Sequence, residues 1–315
     1  MLSLSKKKEQ GYIKQHIVPK SYLNGFASPG KKKDVFIIGV LQKDGKHFPA
    51  STEDVGFIKN YYDDEMLDDI KHWEHYYCDE IEGPCSKSIR NVISRVTLSN
   101  SIQELITEKE RDDLSKFIVT QFTRVPSFIN YHIENAKERF IPSFLRGFLY
   151  KNGPYLTKAQ RDTVNHIELS DSQLKNILMT NITDEMKLKK YSRILSDKIW
   201  IVYLNVINDS CPFITSDNPI IMYNTVSNSF SRSDNGIGNQ NTIIYVPLNT
   251  YVAIGIYPNS FRDTLKDMDS RGIVCDSNDI GFIELMSQCE INQCYNQAFI
   301  PLSFYKKTYK EKQKL

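Results

Sequence analysis

Long apolar runs are missing from this chain of 315 residues, and the longest is Ile199 to Leu204. That is far short of the ~20 residues needed to cross a bilayer, so no membrane partner is expected. Charge of one sign is missing too. Lys+Arg 40 against Asp+Glu 38 leaves a net charge of +2, unlike the strongly basic balance of a dedicated nucleic-acid coat. G-x-G-x-x-G, G-x-x-x-x-G-K-[ST] and G-x-S-x-G are all absent. Dinucleotide, P-loop and α/β-hydrolase chemistry therefore have no local support, and no nucleotide cofactor is expected. The cysteines Cys78, Cys85, Cys211, Cys275, Cys289 and Cys294 contain no C-x-x-C pair and no zinc-finger spacing. They read as reduced thiols, partly buried as small apolar groups, in a cytoplasmic protein. The N-terminal Met-Leu-Ser-Leu-Ser-Lys-Lys-Lys lacks the apolar core of a secretory signal.

What is present is an ordinary folded composition, 40% hydrophobic and 25% charged. Residues 1–15 and 306–315 are basic and polar and read as a mobile arm and a solvated tail. Residues 16–305 are expected to form a single α+β domain, with a helical middle packed on a mostly antiparallel sheet. In 16–62, Pro19 opens a short helix that Gly25 closes, and Val35–Leu41 is a strand. Asp44-Gly45 then favours a hairpin turn into His47-Phe48. Residues 63–198 read helical. There Thr107-x-x-Glu110 is a capping box, and Leu114, Phe117, Ile118, Phe122 and Val125 form an apolar stripe that Pro126 ends or kinks. Residues 199–305 read β-rich, with strands at 199–206, 213–215, 220–223, 242–246, 251–257 and 298–303, a helix near 278–297 and a long Ser/Asn/Gly loop over 224–241.

A few polar residues break the apolar patterns. Gln121 follows Leu114 by seven residues and so points into the stripe, with Arg124 on the edge of the same face. They are either a satisfied core amide with a surface neighbour, or a polar pair facing a cleft with Arg124 as an anion clamp. Glu82 projects onto the stripe of Cys85, Ile89, Val92, Ile93 and Val96, or else sits at a helix N-terminus opened by Pro84. His72, His75, Asp79 and Glu82 would share one face of an unbroken helix, which suits either metal ligands or plain solvation. Thr215-Ser216-Asp217-Asn218-Pro219 lies between two strands, as a self-bonded turn or as a carboxylate aimed at a cleft. His16 precedes the first helix and reads as structural or as a general acid–base.

These same segments carry a family resemblance. His16-Ile-Val-Pro-Lys-Ser-Tyr-Leu-Asn-Gly-Phe26 resembles the His-x-Val-Pro-x-x-Tyr-Leu-x-x-Phe opening of the bacterial domain-of-unknown-function family 4238. Asn60-Tyr61-Tyr62 is similar to its Asn-Phe-Tyr element, and Glu82 matches its Ile-Glu element. Gln121-x-x-Arg124-x-Pro126 matches its Gln-x-x-Arg-x-Pro, and Thr215 to Pro219 its Thr-Ser-Asp-Asn-Pro, which here follows Trp200. Pro247-Leu248 resembles its Pro-Leu-Ser-Pro, with Asn249 and Thr250 in place of the last two residues. The resemblance runs from His16 to about Pro301 and implies a list of distinctive positions but no activity.

Two functions follow as expectations. In the first, Glu82 and Asp217 hold Mg²⁺ or Mn²⁺, and Arg124 clamps a phosphate. His16, Gln121 and Asn218 then act as catalytic groups, His16 moving a proton and the amides orienting water or substrate. That set suits a phosphodiester hydrolase acting on nucleic acid, a nuclease-like toxin or phage-defence effector, and it suits another phosphoesterase nearly as well. In the second, the chain is a non-enzymatic interaction module and the same residues form a buried polar network docking the helical region on the sheet.

Overall fold

A tight turn sets the first hairpin. Gly45 adopts φ +87°, a backbone conformation that costs other residues strain, and β3 (Phe36–Gln42) returns as β4 (His47–Ser51). The structure is a computed structural model and describes residues 14–64, 67–98 and 102–310. Ahead of the hairpin lie β1 (Lys14–His16), helix α1 (Lys20–Leu23) and β2 (Ser28–Pro29). β1 pairs antiparallel with β5 (Phe57–Lys59). Lys14 and Gln15, expected in a mobile arm, are therefore strand residues, and Gln15 is buried between Asp63 and the Tyr62 backbone. Residues 1–13 lie outside the described residues. At the other end, α12 (Leu302–Tyr305) continues as a π-helical turn, Lys306–Lys310, so the start of the expected tail is helical, and residues 311–315 lie outside the described residues.

β3 also joins the two ends of the chain. Its sheet runs β2, β3, β12 (Gln297–Ile300), β7 (Thr215–Ser216), with β4 on the side of β3. The second large sheet runs β11 (Arg271–Cys275), β6 (Ile199–Asn205), β10 (Val252–Tyr257), β9 (Thr242–Pro247), β8 (Ile221–Asn224). All its pairs are antiparallel except β11 on β6. β11 was not expected from sequence: it is short and carries Gly272, which lacks the side chain strands usually pack. The structure explains the glycine, since a Cβ there would meet Leu105 at 2.8 Å. β6 is buried on both faces, with Trp200 and Val202 in the main core and Ile199, Ile201 and Tyr203 in a second one. That is why it reads as an unbroken apolar run.

The helical middle comprises α2 (His72–Tyr76), α3 (Gly83–Leu98), α4 (Glu108–Arg124), α5 (Pro126–Asn135), α6 (Ile141–Asn152), α7 (Lys158–Asn165), α8 (Asp171–Ile182) and α9 (Glu185–Ser196). Short α10 (Arg262–Leu265) and longer α11 (Ile280–Gln293) follow within the β-rich part. The class is α+β, as expected. The Thr107 capping box forms, and Leu114, Phe117 and Ile118 enter the main core with Val18, Leu23, Val92 and Ile254. All six cysteines are free thiols, and all but Cys78 are buried. Among the described residues no helix is long and apolar enough to cross a membrane.

Candidate functional site

Arg124 is the last residue of α4, because Val125 turns extended ahead of Pro126. That ending aims one of the largest fully buried side chains of the protein inward. Its Nη1 donates to Glu82 Oε1 at 2.8 Å, and its Nε and Nη2 donate to Gln121 Oε1 at 3.1 and 2.8 Å. The guanidinium carbon stands 5.1 Å from the centre of the Tyr77 ring. Gln121 passes the connection on, donating from Nε2 to the Ile17 carbonyl at 2.8 Å. A glutamine in an apolar stripe must find such partners, and it finds them one turn along its own helix and on the N-terminal segment.

Glu82 reaches Arg124 from an irregular helix. Between α2 and α3 the chain forms a π-helix, Tyr77–Glu82, in which the Gly83 N–H bonds the Cys78 carbonyl, five residues back. Pro84 has no N–H to offer Glu80, which favours the wider turn. The break also removes the continuous face expected for His72, His75, Asp79 and Glu82. His75 instead contacts Asp69 at 3.0 Å, and Asp79 is exposed.

His16 sits beside this pair. Burial, together with nearby Arg124, Lys20 and Lys14, lowers the imidazole below its ordinary value, against a backbone contact with Thr52. Its Nε2 is buried without a partner among the described residues, as are Tyr77 Oη and Trp73 Nε1. Glu74 was not singled out by sequence pattern. Burial and the neighbouring Glu82 push its carboxyl up to about 7. The sign of the consequence is fixed by linkage. A carboxyl whose folded value lies above the ordinary 4.5 binds its proton more tightly when folded, so stability falls as pH rises from about 4.5 to about 7. Glu74→Gln should flatten that slope, and chemical denaturation at a series of pH values reads it directly.

Asp217 is held by other partners. Oδ1 accepts the Tyr295 N–H at 2.6 Å, and Oδ2 accepts those of Asn296 and Gln297 at 2.7 and 2.8 Å. The carboxylate thus fastens the turn between α11 and β12. Asn218 is fixed to the end of α11: its side-chain Nδ2 donates to the Gln293 carbonyl at 3.0 Å, and Gln293 Nε2 donates to the Asn218 carbonyl at 2.6 Å. Its Oδ1 accepts from Arg232 at 3.3 Å, and Arg232 also donates to Ser127 at 2.7 Å. Buried Glu290 accepts from Ser216 nearby at 2.5 Å, and burial raises its carboxyl well above the ordinary range.

The two groups are joined through backbone groups and two glutamine side chains. Gln297, whose N–H binds Asp217, accepts the Gly56 N–H on its side-chain Oε1 at 3.1 Å. The Gly56 carbonyl accepts Ile17 N–H at 2.9 Å and Val18 N–H at 3.3 Å. The Ile17 carbonyl takes the Gln121 amide, and Gln121 takes Arg124. A single path therefore runs from Asp217 to Glu82 through the C-terminal strand, the N-terminal segment and α4.

This arrangement does not fit a shared Mg²⁺ or Mn²⁺. Such ions want several oxygen ligands, whereas both Asp217 oxygens already accept N–H groups and Glu82 is paired with Arg124. Among the described residues no group of three His, Cys, Asp or Glu is placed to hold a metal. The clamp expected of Arg124 is likewise committed: its side chain is 1% exposed and its three nitrogens are bonded.

The chain belongs to the family described as protein of unknown function DUF4238, whose sequence pattern matches residues 14–301. No curated protein and no solved structure matches it.

Proposed function

We propose that this protein is a non-enzymatic interaction module whose motif residues form a polar frame fastening the N-terminal segment and α4 to the sheets. The observation that carries this reading is the continuous path from Asp217 to Glu82, in which His16's neighbour Ile17, Gln121 and Arg124 each bond a different segment of chain. Polar networks of this kind, when their members are satisfied, fix one arrangement of packed elements over others. The test incubates the purified protein with labelled single- and double-stranded DNA and RNA, with Mg²⁺, with Mn²⁺ and with EDTA. The frame reading expects no cleavage. Metal-dependent cleavage that disappears in a folded Asp217→Asn variant would overturn it.

A second reading, phosphate-ester hydrolysis by a nuclease-like toxin or phage-defence effector, has one support. Burial and neighbouring Glu82 push the Glu74 carboxyl up to about 7, and His16 Nε2 is buried without a partner among the described residues. Groups with displaced pKa values cluster at reaction sites. On that reading Glu74→Gln and His16→Ala should abolish cleavage in the same assay while circular dichroism shows both variants folded.

A further inference from the structure

Helix α6 has an apolar side that is left exposed among the described residues. No residue of the π-helical segment Ala136–Phe140, of α6 or of α7 is buried. Surface helices normally turn an apolar stripe toward a core. Here Phe140, Phe144 and Phe148 repeat at one-turn spacing and are 69%, 61% and 38% exposed. The first two rings stack with centres 6.4 Å apart. Tyr150 and Tyr155 follow, still more exposed.

Charge narrows the choice of occupant. Between Glu134 and Asp162 the chain carries Lys137, Arg139, Arg146, Lys151, Lys158 and Arg161 against the lone carboxylate Glu138. This stretch is far more basic than a chain whose whole excess is +2. Lys137 reaches Asp171, which leaves the other cations to set the sign of the face. A second copy docking through the same ridge would bring together two segments with the same excess of cations, which is unfavourable. A nucleic acid would use rings spread for base stacking, whereas these phenylalanines form one ridge along a helix. Phenylalanines on one face, Lys151 close to their line, Arg139 and Arg146 turned to the polar side by the helical period, and tyrosines at the end describe a helix lying in the interface of an anionic bilayer. We propose that the α6 arm docks on an anionic lipid surface, the Phe140–Phe144–Phe148 ridge entering the acyl boundary, Lys151 meeting lipid phosphates beside it, and Arg139 and Arg146 adding positive charge from the polar side of the helix. Such a helix lies in the plane of the surface and crosses nothing. The proposal does not rest on the polar frame: it holds whether or not the protein cleaves nucleic acid.

The test is co-sedimentation of the full chain with vesicles of phosphatidylcholine containing phosphatidylglycerol, and with pure phosphatidylcholine. Binding to the anionic vesicles, weakened by added salt, is the expected result. Phe144→Ser combined with Phe148→Ser should lower the partition coefficient by about tenfold or more, from the apolar area withdrawn. Arg146→Glu with Lys151→Glu should weaken anionic binding alone. All four positions are exposed or at the helix surface, so the melts should match that of the parent, and circular dichroism checks this. The proposal is overturned if folded protein ignores anionic vesicles at low salt, or binds neutral ones equally well. It is also overturned if the same variants abolish self-association, or binding of a labelled single-stranded oligonucleotide, with no vesicle binding at all.

Discussion

Asp217→Ala should melt far below the parent protein. The substitution leaves the backbone N–H groups of Tyr295, Asn296 and Gln297 without their acceptor in a place where Asp217 is 2% exposed. Each buried donor left unpaired costs about 1–3 kcal/mol. Relaxation of the turn toward water recovers part of this, so a total of about 3–5 kcal/mol is expected, at the upper end for single substitutions. Asp217→Asn keeps one acceptor oxygen and should fall between the two. Differential scanning calorimetry on the three proteins gives the order. A melt of Asp217→Ala equal to the parent's would mean that the carboxylate does not hold this turn.

Arg124→Ala should cost about as much by a different route. Removing one partner of a buried ion pair strands the other, at about 3–5 kcal/mol. Here Glu82 loses its 2.8 Å partner, Gln121 Oε1 loses both donors, and Tyr77 loses the guanidinium over its ring. A neutral pair of similar volume should restore much of the loss. Arg124→Met combined with Glu82→Gln is expected to be more stable than Arg124→Ala alone, since no charge is then left unpaired. Urea denaturation of the single and double variants measures the difference. If the double variant is as unstable as Arg124→Ala, the pair contributes more than the avoidance of a stranded charge.

These two sites differ in how far local sequence reveals them. Gln121 and Arg124 stand out because a helical stripe has a period, and a polar residue seven positions after Leu114 breaks it. Asp44-Gly45 and the Thr107 capping box are equally local, and both form as expected. The partners are another matter. Glu82 lies 42 residues from Arg124, and the N–H groups that bind Asp217 lie 78 to 80 residues away. Nothing in the spacing of Thr215 to Pro219 distinguishes a carboxylate aimed at a metal from one that fastens a distant turn. The π-helix hides another relation: it shifts the phase between Glu74 and Glu82, so a regular helical projection separates two carboxylates whose charges interact in the fold. β11 escaped notice because a parallel edge strand with a glycine has neither alternation nor an apolar run to mark it.

The central claim is that the motif residues form one frame rather than two unrelated contacts. Native-state hydrogen exchange on Asp217→Ala tests it most directly. The frame predicts faster exchange at Tyr295, Asn296 and Gln297, and also beyond them, at Gly56 and at Ile17 and Val18, whose N–H groups follow Gln297 along the path. If exchange quickens only at 295–297 while Gly56, Ile17 and Val18 keep their full protection, the path carries no coupling and the account is contradicted.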